Sequence, residues 1–370
     1  MPHAGNPYSP TPQFGPVVNR GADWRDQLAH PVRTPESLES CSGHSVHWSS
    51  ECDVAGSRFG MHVTPYYASL MKAPLDQDPI YRMCVPDARE LTPAPWLTAD
   101  PLGEEKHTPV PRLVHRYRNR ALVLVTSRCA VHCRYCMRKR KTAEESTHGL
   151  DLTRVCDYLR DHPEVDDVIL SGGDPLTLDD LVIETILTAI RAVSSVRIVR
   201  IGTRVPVVLP MRITDELCDM LRRFHPLYIN THFNHPAELT PEARVACEKL
   251  ADVGIPLGNQ SVLLRGINDS VDVLAALCAG LLVMRVRPYY LHQCDLVEGV
   301  EHFRVSTAKG MELVGELRRR LGGLAVPVFA VDLPDSDCKI PLQRPYITEQ
   351  TDSVTVLRNQ EGVELRYPEP

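Results

Sequence analysis

From residue 121 onward the chain repeats one arrangement: a short β-branched run, a polar turn, then a segment whose apolar residues recur with helical spacing. The runs at 121–126, 168–171, 196–201, 227–231, 256–263 and 284–290 are strand candidates, because short apolar runs bounded by turn signals fit buried strands. Between them, 179–193, 214–224 and 240–253 carry the helical period. The last of these has Thr240 as N-cap, Pro241 at the first helical position and Gly254 just past the end, the order in which those residues start and stop a helix. Strands alternating with helices form βαβ units, a parallel sheet and right-handed crossovers. About six such units predict an α/β fold built as an incomplete barrel, with active residues at the carboxyl ends of its strands.

Ahead of this pattern the order weakens. Residues 1–30 are rich in Pro, Gly and Asn without periodicity and predict a flexible lead-in. Thr34 followed by Pro35 marks a helix start, and 61–75 holds a further apolar segment with Tyr66, Tyr67, Leu70 and Met71. Residues 31–107 therefore read as a helical region and a proline-punctuated linker, 108–345 as the barrel, and 346–370 as a C-terminal tail.

Composition narrows the class. With 370 residues, 43% of them hydrophobic, the chain can bury a large core as one main domain with extensions. No apolar run is long enough to span a bilayer, and the start Met1-Pro2-His3-Ala4-Gly5-Asn6 lacks a charged region followed by a hydrophobic one. A cytoplasmic protein without a membrane partner is expected. Most of the 12 cysteines are scattered singly, in a chain too large to need disulfide staples, which fits a reducing compartment. The net charge of −6 argues against nucleic acid as a partner, despite the run Arg138-Lys139-Arg140-Lys141. Such a run is usually a solvated face; here Arg138 is set aside for an anion.

The chemistry gathers around Cys129, Cys133 and Cys136, three thiols within eight residues. Three thiolates can hold three irons of a cubane cluster and leave the fourth open to a ligand. Zinc would want a fourth ligand, and His132 is available inside the spacing. A buried helical stripe is the plainer alternative, though Arg128, His132, Arg134 and Arg138 would crowd it with charge. In Ser171-Gly172-Gly173-Asp174-Pro175, the glycines permit close approach to a ligand, or simply an ordinary β-to-α turn.

The cysteine spacing after a strand resembles that of the radical SAM enzymes. The resemblance implies a partial (βα)6 barrel and a [4Fe–4S] cluster on Cys129, Cys133 and Cys136, with S-adenosylmethionine (SAM) on the open iron as the source of a 5′-deoxyadenosyl radical. It assigns SAM binding to Ser171, Gly172, Gly173 and Asp174, with His232 and Gln260 as further pocket residues. A closer resemblance runs from about residue 108 to the C-terminus. The segments His115-Arg116-Tyr117, Cys133-Arg134-Tyr135-Cys136, Arg200-Ile201-Gly202-Thr203-Arg204, Asn230-Thr231-His232-Phe233-Asn234-His235-Pro236, Arg287-Pro288-Tyr289-Tyr290 and Gln293-Cys294-Asp295-Leu296 are similar to the lysine 2,3-aminomutase family.

That family resemblance implies pyridoxal phosphate (PLP) beside SAM and the cluster, carried on the amine of Lys339. Arg116, Tyr117 and Arg120 would hold the PLP phosphate, Arg138 the substrate carboxylate, and Asp295 with Asp332 the distal ammonium. The implied enzyme is a 2,3-aminomutase of a free basic L-amino acid, an isomerase that turns L-lysine into β-lysine, with L-arginine the nearest rival. A non-catalytic iron–sulfur electron-transfer protein is the rival from another class. A reductant such as flavodoxin or ferredoxin and a homo-oligomer are implied as partners. Two features depart from the family. The loop before Lys339 is Asp335-Ser336-Asp337-Cys338 rather than glycine-rich, extra acidity that would suit a guanidinium. Ile267-Asn268-Asp269-Ser270 lacks the family's zinc cysteine and no cysteine cluster precedes Pro370, so no zinc is expected.

Overall fold

The computed structural model describes residues 23–143, 149–334, 336, 338–359 and 361–370. Its centre is a nine-stranded sheet whose spatial order follows the chain: β1 (Leu113–Tyr117), β2 (Arg120–Thr126), β3 (Asp167–Gly172), β4 (Ile198–Gly202), β5 (Leu227–Thr231), β6 (Leu257–Leu263), β7 (Val286–Gln293), β8 (Val328–Val331) and β9 (Ile340–Pro341). Strands β2 to β8 run parallel, while β1 and β9 pair antiparallel at the two edges. The barrel is therefore partial, and all six strands read from the sequence lie in its parallel part.

Alternation along the strands separates two faces. On β6, Leu257, Asn259, Ser261 and Leu263 are buried while Gly258, Gln260 and Val262 are only half-buried, the period of two that sends neighbouring side chains to opposite sides. One apolar core joins the sheet to the N-terminal region: Leu38, Tyr66 and Tyr67 share it with Val123, Leu170, Ile201 and Ile229. Helix Pro35–Ser42 starts as the sequence predicts, with Thr34 capping and Pro35 at its first turn.

Several expectations need correction. The lead-in ends before residue 30, because Trp24–Ala29 is helical, capped by Asp23. Six residues cannot hold a helix alone; burial of Trp24 and Leu28 in the common core contributes about 1.5–3 kcal/mol for each side chain. Residues 1–22 lie outside the described ones. Within 61–75 only Pro65–Ala68 is helical. The tail at 346–370 is a three-stranded antiparallel sheet of β10 (Ile347–Gln350), β11 (Val354–Arg358) and β12 (Glu364–Pro368). Helices Leu152–Asp161, Val271–Val283 and Thr307–Arg320 complete the crossovers. Among the described residues no helix is long and apolar enough to cross a membrane.

Candidate active site

The carboxyl ends of the parallel strands open into one cavity of about 390 Å³. The residues assigned to the cluster, the cofactors and the substrate line it: Arg116, Tyr117 and Arg120 at the β1–β2 edge; Cys129, Cys133, Cys136 and Arg138 after β2; Ser171, Gly172, Gly173 and Asp174 at the end of β3; then His232, Gln260, Asp295, Asp332 and Lys339. Residues some two hundred positions apart in the chain thus share one chamber.

The cysteine loop lies directly against the end of β3. The Gly173 amide donates to the Thr126 carbonyl at 2.7 Å and the Asp174 amide to the Arg128 carbonyl at 2.8 Å. A Cβ on Gly172, which has φ +119°, would stand 2.3 Å from the Thr126 oxygen, and one on Gly173 would stand 2.2 Å from the Arg128 oxygen. The glycines thus accommodate the backbone that carries the thiols. The Asp174 carboxylate is engaged as well, accepting from Thr203 Oγ1 and the Arg204 amide, each at 2.6 Å, and from the Leu176 amide at 3.1 Å. It braces the β3 and β4 loops against each other.

Burial pushes the Cys129 thiol up, with Cys136, Asp174 and Cys133 adding repulsion; burial and Cys133 push Cys136 up to about 11. Arg204 donates from Nη1 to Cys133 Sγ at 2.8 Å while its Nη2 pairs with buried Glu238 at 2.7 Å. Cys129, Cys133 and Cys136 all line the cavity, with an Arg204 N–H aimed at Cys133; thiols of this kind suit an iron–sulfur cluster, whose positive irons favour the thiolates, and among the described residues no three His, Cys, Asp or Glu side chains are gathered to hold a single metal ion. His132, weighed as a zinc ligand, stacks on His62 with centroids 5.4 Å apart. His232 is half-buried, stacks on Tyr135 at 5.6 Å, and is held neutral by desolvation and by Arg204 and His292, its pKa down to about 3. An uncharged aromatic wall beside the thiols fits the adenosyl part of SAM.

At the other end, Asp332 gathers three partners. Tyr117 OH donates to both carboxylate oxygens at 2.8 Å, Arg116 Nη1 lies at 2.9 Å and Lys339 Nζ at 2.5 Å. Burial works against this carboxylate's charge, but Lys339, Tyr117 and Arg116 outweigh it and hold the pKa below the usual range. Among the described residues the buried Nε atoms of Arg116 and Arg120 have no hydrogen-bond partner, and Arg120 lies over the Tyr117 ring at 4.6 Å. Unmet guanidinium donors at one edge of the cavity fit a phosphate. Among the described residues the Asp295 carboxylate has no hydrogen bond or ion pair like those on Asp332. Burial pushes it up to about 7, with Asp332 and Glu104 adding to the rise and Lys339 and Arg138 opposing it.

Sequence reasoning missed His292, a half-buried neutral imidazole stacked on Tyr290 at 5.2 Å and lining the cavity. The period of two along β7 puts it on the same face as Tyr290, a signal that was available. It also missed the partners of the basic run, which is no solvated face. Arg134 and Lys139 share buried Glu90, at 2.8 and 3.4 Å. Arg138 and Lys141 share Glu104, at 2.5 and 3.3 Å, and Arg140 meets Asp100 and Glu105, at 3.4 and 2.8 Å. Arg138 and Lys141 overcome the burial of Glu104 and hold its pKa down to about 2. Every acid named here belongs to the N-terminal linker. Asp335 and Asp337, the acidic departure, lie outside the described residues; between and beside them Ser336 Oγ donates to the Cys338 carbonyl at 2.6 Å.

Residues 123–278 match the radical SAM superfamily, and residues 314–370 match a family described as lysine-2,3-aminomutase. An L-lysine 2,3-aminomutase from Fusobacterium nucleatum is 45% identical over 351 residues, which cover 94% of this chain and 82% of the relative. The chain belongs to the lysine 2,3-aminomutase family. An L-lysine 2,3-aminomutase from Clostridium subterminale is 44% identical over 94% of this chain and 84% of its own length. A glutamate 2,3-aminomutase from Clostridioides difficile is 41% identical over 92% and 82%. As a member of this family the chain is an isomerase, a radical SAM aminomutase, and the family implies the [4Fe–4S] cluster and SAM. The electron-transfer reading is set aside by that membership.

Proposed function

We propose that the enzyme moves the α-amino group of a basic L-amino acid from C2 to C3, with L-lysine the favoured substrate and β-lysine the product. One observation carries the choice: Lys339 Nζ itself sits on Asp332 at 2.5 Å, an ammonium on a four-carbon stem in the place a substrate ammonium would take. Commitment of the Lys339 amine to PLP vacates that carboxylate. When bound, the cluster and SAM supply a carbon radical, and PLP supplies the carbonyl that carries the amino nitrogen between neighbouring carbons. Cys129, Cys133 and Cys136 would hold the cluster; Ser171, Gly172, Gly173, Asp174, His232 and Gln260 would line SAM; Arg116, Tyr117 and Arg120 would bind the PLP phosphate.

Substrate is gripped at both ends. Arg138 takes the carboxylate, Asp295 and Asp332 take the distal ammonium, and C3 is held between them beside the radical source. A glutamate side chain would set a third carboxylate against Asp332 and Asp295 in a buried site, which disfavours it. A small redox protein such as flavodoxin or ferredoxin would supply the electron.

The test is anaerobic turnover by the reconstituted, reduced enzyme with SAM and PLP, offered L-lysine, L-arginine and L-glutamate in competition, with β-isomers identified by mass spectrometry. β-Lysine in excess is expected. β-Arginine in excess would overturn the lysine assignment, and no β-isomer at all would overturn the free amino acid reading. Lys339→Ala should lose the protein-bound PLP absorbance band and turnover together; retention of both would remove Lys339 from the site.

A further inference from the structure

The linker contributes to the cavity a carboxylate that the chemistry above does not use. Glu104 lies just ahead of the 3-10 turn Glu105–His107, lines the cavity beside Arg138 and keeps its side chain only 5% exposed. It accepts from Arg138 Nε at 2.9 and 3.0 Å and from Nη2 at 2.5 Å. Arg138 Nη1 makes no hydrogen bond among the described residues. A guanidinium offers two forked edges to carboxylates, one through Nε and Nη2, the other through its two terminal nitrogens. Glu104 occupies the first edge and leaves the second available.

We propose that Glu104 is the positioning residue for the substrate carboxylate: its grip on the Nε edge fixes the plane of Arg138, so that the terminal edge receives the amino acid. This rests on the reading of Arg138 as the carboxylate clamp. A flexible arginine alone loses side-chain freedom when it binds; one already held on its other edge has lost that freedom beforehand. The fork also sets direction. A bidentate carboxylate must lie in the guanidinium plane, so the plane chosen by Glu104 decides where C2 and C3 of the bound substrate point.

A plainer role would be charge balance alone, since Glu104 offsets Arg138 and Lys141 together. The two roles differ in sign. If only charge matters, Glu104→Gln leaves the site more positive and tightens carboxylate binding, whereas Glu104→Asp, with its charge kept, changes nothing. If position matters, both variants bind substrate more weakly, because glutamine loses the charge-assisted fork and aspartate is one methylene too short to reach it.

The experiment measures L-lysine binding to PLP-loaded protein by titration calorimetry without SAM, and KM and kcat in the complete enzyme, for Glu104→Asp, Glu104→Gln, Arg138→Ala and the Glu104→Gln/Arg138→Ala pair. Iron content and melting temperature serve as folding controls. We expect Kd and KM to rise roughly tenfold in Glu104→Asp and further in Glu104→Gln, each with a smaller fall in kcat, and the double variant to bind no more weakly than Arg138→Ala alone. Unchanged binding in Glu104→Asp, tighter binding in Glu104→Gln, or multiplying effects in the double variant would overturn the proposal. Should Arg138→Ala bind L-lysine like the wild type, the clamp reading fails first, a result distinct from a failure of Glu104 alone.

Discussion

Asp295 makes the proposed substrate site sensitive to pH near neutrality. Its pKa moves from an ordinary 3.8 to about 7, which corresponds to on the order of 4 kcal/mol against the ionised form. Below the shifted value the free enzyme holds Asp295 protonated, and a neutral carboxyl draws an ammonium far less than a carboxylate does. Asp332, held below its usual range, stays charged throughout. If the ammonium requires both carboxylates, kcat/KM for L-lysine should fall about tenfold for each pH unit below the Asp295 pKa and level off above it. The assay is kcat/KM for L-lysine from pH 5.5 to 9 in buffers of constant ionic strength, for wild type and Asp295→Asn. The variant should lose the inflection and run at or below the acid-limb value of the wild type at every pH. A flat profile in the wild type, or the same inflection in the variant, would refute the role given to Asp295.

Two further predictions concern the frame around the cluster. Gly173→Ala drives a Cβ to 2.2 Å from the Arg128 carbonyl, a backbone atom that cannot swing aside; a cost of about 1–3 kcal/mol should lower the melting temperature and the iron bound after reconstitution, and wild-type iron content would count against the packing argument. Glu90→Ala leaves Arg134 and Lys139 buried without their shared counter-charge, a loss of about 3–5 kcal/mol to be read from the urea midpoint; a change below about 1 kcal/mol would mean that other groups neutralise them.

The six parallel strands were legible because each is a short β-branched run between turn signals, and the caps at Thr34 and Thr240 were legible because they act locally. Strand β8 is only four residues long, and β9 only two, too short to show a period. Helix Val271–Val283 is apolar almost all round, so no stripe marks it. The site residues stood out through motif resemblance, which names side chains but not their neighbours. Glu90 and Glu104 are separated in sequence from the cations they meet, by 44 positions for Arg134 and 34 for Arg138, and they lie in a linker without periodicity. Only folding brings such charges together. The reach of Asp174 to Thr203 and Arg204 escaped for the same reason.

The neutralisation of residues 138–141 by the preceding linker bears on how this protein can be recombined with its relatives. A chimera that separates the cysteine loop from the linker makes Arg134, Arg138 and Lys139 on one side, or Glu90 and Glu104 on the other, depend on whatever charges the second parent places opposite them. Crossovers placed before Asp87 or after residue 141 keep donor and acceptor from the same parent. The exchangeable module is therefore the linker and the cluster loop together, although the sequence splits them between two regions.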